Sequence, residues 1–202
     1  MVPKSESDTI IDHVLANDAD TELALKIGSA YTDLRSRIIS DFMGRVAGVL
    51  MPKLAGRWMS HPVDPLSFME ERWDLFKLQL LNNPAEIRIN IGHGDGGVFK
   101  NPYVAVRTEV VAFNTSEVNS AIGAAFAKGP KTDVSVWYQY LHKLLGKKHL
   151  DWGSNEMSLE MVRSVEIVEL VANRLEKLCA AVEVALMEIG QRAVSSTPSE
   201  EE

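Results

Sequence analysis

Glu86-Ile87-Arg88-Ile89-Asn90-Ile91-Gly92-His93-Gly94-Asp95-Gly96-Gly97 changes character half-way along. Its first six residues alternate polar and apolar, the period of a strand with one face buried. The next six hold four glycines and no large apolar side chain, which suits a loop. After Asn101-Pro102, alternation resumes through Val104, Val106, Thr108 and Val110 in the run Tyr103 to Phe113. The pattern predicts two antiparallel strands joined by a long Gly-rich connection. A two-stranded hairpin is marginal in water, so other elements must cover it.

Both ends of the chain offer that cover. From Thr21 to Met51, apolar residues recur at Leu23, Ile27, Ala30, Tyr31, Leu34, Ile38, Phe42, Val46 and Val49, at gaps of three and four. Thr21 is the expected N-cap, and Pro52 is expected to end the helix because proline disfavours helical geometry in the residue before it. From Asn155 to Arg192 a second stripe holds Val162, Val165, Val168, Ala172, Leu175, Cys179, Val182, Leu186 and Ile189. Stripes of this length are packing seams, either within the chain or, as in a coiled coil, between subunits. Gly44 and Gly48 interrupt the first helix one turn apart, at a cost of about 1 kcal/mol each relative to alanine. Close approach by another helix or chain is one explanation, a kink the other, and the two residues are candidate interface positions.

Between the hairpin and the ends lie shorter elements. Asp64-Pro65 reads as an N-cap and first helical residue, with Leu66, Met69, Trp73, Phe76 and Leu80 on one helical face and Asn82-Asn83-Pro84 closing it. A short helix is expected from Asn114 or Thr115 through Phe126, stopped by Gly129-Pro130. The segment from Thr132 to Leu145 fits two periods. Val134, Val136, Tyr138 and Tyr140 alternate as a strand does, whereas Val134, Trp137, Leu141, Leu144 and Leu145 follow helical spacing. Gly146 with Lys147 and Lys148 resembles a helix end and tips the reading to helix.

The expected fold is therefore α+β and mainly helical, with two long terminal helices packed around a β-hairpin or small antiparallel sheet and shorter helices. Residues 1–20 are read as a flexible or partly helical arm, 21–192 as one domain, and 193–202 as a disordered acidic tail. Length supports a single domain, since 202 residues suffice for one substantial core. The net charge of −7 includes Glu200, Glu201 and Glu202, so the body is only mildly acidic. Charge-driven binding to nucleic acid calls for a basic excess and is not favoured. Lys143, Lys147, Lys148 and His149 form a local exception beside Trp137, Tyr138, Tyr140 and Trp152, a combination able to grip single-stranded nucleic acid.

Cys179 is the single cysteine, so no intrachain disulfide forms, and its place on an apolar stripe suits a structural thiol. The N-terminal twenty residues lack a signal-type apolar core, and Arg45, Lys53 and Arg57 break the strongest apolar run. These features point to a cytoplasmic protein without a membrane span, cellular or virus-encoded.

Chemistry, if present, centres on the hairpin loop. His93 titrates near neutrality, and Asp95 can orient it or join it, with His149, around a metal. The loop lacks the Gly-Lys-Ser/Thr ending of a phosphate loop and leads to a strand. No His-Glu-x-x-His, cysteine pair or Gly-x-Ser-x-Gly motif occurs, and neither Glu86 nor Glu109 begins a magnesium-nuclease signature. No catalytic residue or cofactor is therefore assigned. The favoured function is non-enzymatic protein binding or assembly through helix faces and the exposed loop, with a homodimer or higher oligomer expected. Its candidate binding residues are His93, Asp95, Lys147, Lys148 and Trp152. The rival is a small metal-dependent hydrolase or nuclease centred on the loop.

Overall fold

A computed structural model of the chain describes residues 6–54, 56–61, 76–83, 86–92, 101–108, 115–133, 135–146 and 161–195. Among them, α1 (Glu6–Leu15) and α2 (Asp18–Leu54) lead into β1 (Trp58–His61), β2 (Phe76–Leu80), β3 (Arg88–Gly92) and β4 (Tyr103–Arg107). Then come α3 (Thr115–Ala125), β5 (Trp137–Tyr140), α4 (Leu141–Leu145) and a last helix, α5 (Val165–Ser195). The fold is α+β and mainly helical, as expected, but the hairpin is the centre of a larger sheet. Five strands pair antiparallel in chain order, β1-β2-β3-β4-β5.

Register explains the composition of each strand. Leu78 pairs with Ile89, Ile89 with Val106 and Val106 with Trp137, so these side chains form one row on one face. All four are buried, and Trp58, Phe76, Ile91 and Val104 join them in the same core. The opposite face carries His61, Lys77, Asn90, Ala105 and Tyr138 in the neighbouring row.

Two long helices lie over the core side and run in the same direction. Arg45 reaches the carbonyls of Val162 and Arg163, Lys53 reaches Asn173 and Glu176, and Arg57 pairs with Glu183, so position along α2 and position along α5 rise together. α5 sits between α2 and α3. That double contact widens its buried face beyond the stripe. Val168, Ala172, Leu175, Cys179 and Val182 are covered as expected, and so are Ile167, Val171, Leu178, Ala181 and Ala185, whereas Val165 is 69% exposed.

Several local expectations need correction. Phe76–Leu80 is a strand, not the end of a helix. Phe76, Leu78 and Leu80 satisfy period two, and the helical spacing of Phe76 and Leu80 is also the spacing of alternate strand residues. Residues 62–75, with the Asp64 cap, lie outside the described residues. The segment after Thr132 is both things in turn: β5 ends at Tyr140 and α4 begins at Leu141. Gly146 closes α4 in the left-handed region at φ 65°, its N–H donating to the Lys143 carbonyl. α2 begins at Asp18, three residues before the predicted start, because Asn17 is the cap: its Oδ1 accepts from the Ala19 N–H at 2.9 Å. It also continues through Pro52 to Leu54, despite the expected stop. α5 starts at Val165, after a turn at 162–163, and runs to Ser195, into the stretch read as a tail. Residues 196–202 lie outside the described residues.

Candidate interaction surfaces

Helix α2 changes environment half-way along. From Ser36 onward its inner face is embedded: Ile39, Phe42, Val46 and Leu50 are each 0% exposed. Before that point the large apolar side chains of α2 are exposed among the described residues. Leu23 is 57% exposed, Ile27 60%, Tyr31 44% and Leu34 51%, with Leu25 at 71% on the other side of the helix. Between Glu22 and Leu34, every described side chain except Ala24 is exposed. At 1.5 Å per residue, the stretch from Asp18 to Arg35 spans about 25 Å.

The preceding helix does not supply the missing partner. α1 is tied to the start of α2 by Thr21, whose hydroxyl donates to the Val14 carbonyl at 2.9 Å, while Val14 itself is half-buried. Ile10, Ile11 and Leu15 remain 58%, 53% and 65% exposed. α1 and the first half of α2 thus form one arm bearing unburied aliphatic side chains. The stripe was legible in the sequence; its lack of cover was not.

On the body of α2, Gly44 and Gly48 face outward. Nothing lies within 4 Å of where a Cβ would stand at either position. No described helix of this chain approaches them.

A second cluster lies at the β4–β5 end of the sheet. Tyr103 and Tyr138 meet edge to face at 6.4 Å, as do Tyr138 and Tyr140 at 6.1 Å. His142 stacks on Tyr140 at 5.7 Å, and the Lys143 ammonium lies 5.5 Å from the same ring centroid. Arg107 Nη2 donates to the Tyr103 hydroxyl at 2.9 Å. Burial first, and then the Lys143 charge, lower the pKa of His142 below its ordinary value. This cluster is the described part of the aromatic and basic region expected from sequence. Lys147, Lys148 and Trp152 lie outside the described residues. Tyr140 is already engaged by His142 and Lys143, so it is not an open ring for a nucleobase.

A third arrangement had no sequence signal. Glu183 accepts from Trp58 Nε1 at 2.6 Å and pairs with Arg57. The neighbouring Cys179 is buried, and desolvation together with Glu183 drives its pKa upward, which leaves an unreactive thiol. This cluster joins α5 to the start of the sheet and is structural.

His93 and Asp95 lie outside the described residues, as does His149. Among the described residues no group of three or more histidine, cysteine, aspartate or glutamate side chains is placed to hold a metal ion. No described helix is long and apolar enough to cross a membrane. No family model, curated protein or solved structure matches the chain.

Proposed function

We propose that this chain is a non-enzymatic assembly protein that binds a protein partner through the apolar side of its α1–α2 arm. One observation carries the reading: a single helix buries Ile39, Phe42, Val46 and Leu50 completely and, before them, carries Leu23, Ile27 and Leu34 more than half exposed. Full burial of a leucine or isoleucine is worth about 1.5–3 kcal/mol. Leaving Ile10, Ile11, Leu15, Leu23, Ile27 and Leu34 in water therefore forgoes on the order of 5–10 kcal/mol that a partner recovers. Clustered exposure of this kind marks an interaction surface, whereas scattered single residues do not.

The partner is a protein, a second copy of the chain included, and the setting that fits is the cytoplasm or a virus-infected cell. Gly44 and Gly48 belong to the same surface, since they continue the outward line of α2. The hairpin loop with His93 and Asp95 is a further contact in this reading, as are Lys147, Lys148 and Trp152. Nucleic-acid binding is not favoured, because the described tyrosines pack on one another and on His142.

Native mass spectrometry of protein purified gently from its own source tests the proposal, with metal content read on the same sample. The expected result is a defined protein complex that is lost when Ile27 and Leu34 are both changed to Asp. A metal-bearing monomer whose activity disappears in His93→Ala overturns it in favour of the hydrolase.

A further inference from the structure

Resting on that reading of the arm, we infer that the partner is a second copy of this chain, docked antiparallel along residues 20–37 of α2. The spacing of the exposed residues sets the geometry. Leu23, Ile27, Ala30 and Leu34 are separated by four, three and four residues, the 3.5-residue seam of a two-stranded coiled coil. Extending the seam one step each way reaches Asp20 and Arg37. The seam is thus apolar in the middle, acidic at one end and basic at the other.

That polarity chooses between the two ways of pairing identical helices. Parallel and in register, Asp20 meets Asp20 of the partner subunit and Arg37 meets Arg37 of the partner subunit, so both ends repel. Antiparallel, Leu23 packs with Leu34 of the partner subunit, Ile27 with Ala30 of the partner subunit, and Asp20 meets Arg37 of the partner subunit. Each of these contacts occurs twice by the two-fold symmetry. The flanking positions agree with the same register. Lys26 and Asp33 lie on one shoulder of the seam, and antiparallel pairing sets Lys26 against Asp33 of the partner subunit and Asp33 against Lys26 of the partner subunit. On the other shoulder, Ala24 faces Tyr31 of the partner subunit, small against large. Lys26 and Asp33 are exposed, and the present partner of Lys26 is Glu22 of its own helix, in a solvent-exposed pair with little to lose by exchange.

Helix physics points the same way. An arm carrying Gly28 and Ser29, with every described side chain from Leu25 to Leu34 exposed, is about as long as the shortest isolated helices that hold together in water. A partner along the seam supplies the missing packing. The outward line also continues from Arg37 through Asp41 to Gly44 and Gly48, two positions open to close approach.

Sedimentation equilibrium of the full chain, with variants, tests the pairing. The wild type is expected to dimerise, Lys26→Asp and Asp33→Lys each to weaken the dimer roughly tenfold, and the double variant K26D/D33K to return to within about twofold of wild type. The register is read separately by oxidising cysteine variants, for which the buried Cys179 gives little background. Leu23→Cys mixed with Leu34→Cys is expected to cross-link between the two variants and neither with itself. Self-cross-linking of Leu23→Cys alone establishes the parallel arrangement and overturns the inference. A wild-type chain monomeric at all concentrations removes the second copy as occupant. The wider proposal fails separately, when the complex isolated from the native source survives Asp at both Ile27 and Leu34.

Discussion

Trp58 Nε1 donates a hydrogen bond of 2.6 Å to Glu183 Oε1, and so fastens the first residue of the sheet to the middle of the last helix. Trp58 is 1% exposed, and only the carboxylate lets its N–H enter the core at no desolvation cost. Arg57 binds the other oxygen of the same carboxylate, which compensates the charge. Glu183→Ala should cost about 2–3 kcal/mol, because a charge-assisted bond is lost and a buried donor is left unmade. Glu183→Gln should cost less, since its amide oxygen still accepts from Trp58. Urea unfolding at constant m-value checks both.

The two halves of α2 should answer differently to truncation. Phe42→Ala, in the embedded half, is expected to destabilise by about 3–5 kcal/mol. Ile27→Ala, on the arm, should change monomer stability by under about 0.5 kcal/mol while weakening self-association. Unfolding measured at a concentration well below dimerisation separates the two effects.

Gly44→Ala and Gly48→Ala should each stabilise the monomer by up to about 1 kcal/mol, since a methyl group meets nothing at either site and glycine costs helix entropy. Gly44→Leu should keep the monomer helical and disrupt the oligomer if the outward face is part of the seam. Thermal melts and sedimentation of the same proteins give both answers.

Gly129 is the opposite case. A Cβ there would stand 2.6 Å from the Tyr138 carbonyl and 2.7 Å from Trp137 Cδ1. The indole cannot retreat, because it is fully buried and its Nε1 donates to the Ala127 carbonyl at 2.9 Å. Gly129→Ala should therefore cost about 1–3 kcal/mol, read from the urea midpoint.

Acid should weaken the fold in part through His142. Its pKa is lowered in the folded state, so below the ordinary value near 6.5 the unfolded chain takes up the proton more readily. The contribution is complete above that value and is lost as pH falls through the lower folded one. His142→Gln should flatten the fall in stability as the pH drops below about 6.5. Stability of the two proteins against pH shows whether it does.

Much of the fold could be read locally, and the failures share a cause. The hairpin, the start of α3 and the Gly146 helix end rest on short-range rules of alternation, capping and left-handed glycine. The strand at Phe76–Leu80 was lost because its apolar residues fit two periods, and only pairing with β1 and β3 decides between them. β1 is four residues long, too short for its period to register. The tie between Trp58 and Glu183 spans 125 residues, and no sequence pattern links two such positions. Of the candidate site residues, only Gly44 and Gly48 fall among the described residues, and their outward direction could not be read from the sequence.

The chain by itself determined the periods: two long apolar stripes, an alternating pair of strands, and a thiol on one of the stripes. Those follow from residue order, because helical and extended backbones repeat at fixed intervals. What only the tertiary structure decided is which part of each stripe is covered. Burial depends on where the other elements lie: Arg45 reaches the turn just before α5, and Lys53 reaches Asn173 and Glu176 within it. Apolar side chains of one helix are therefore core in the second half of α2 and exposed in the first.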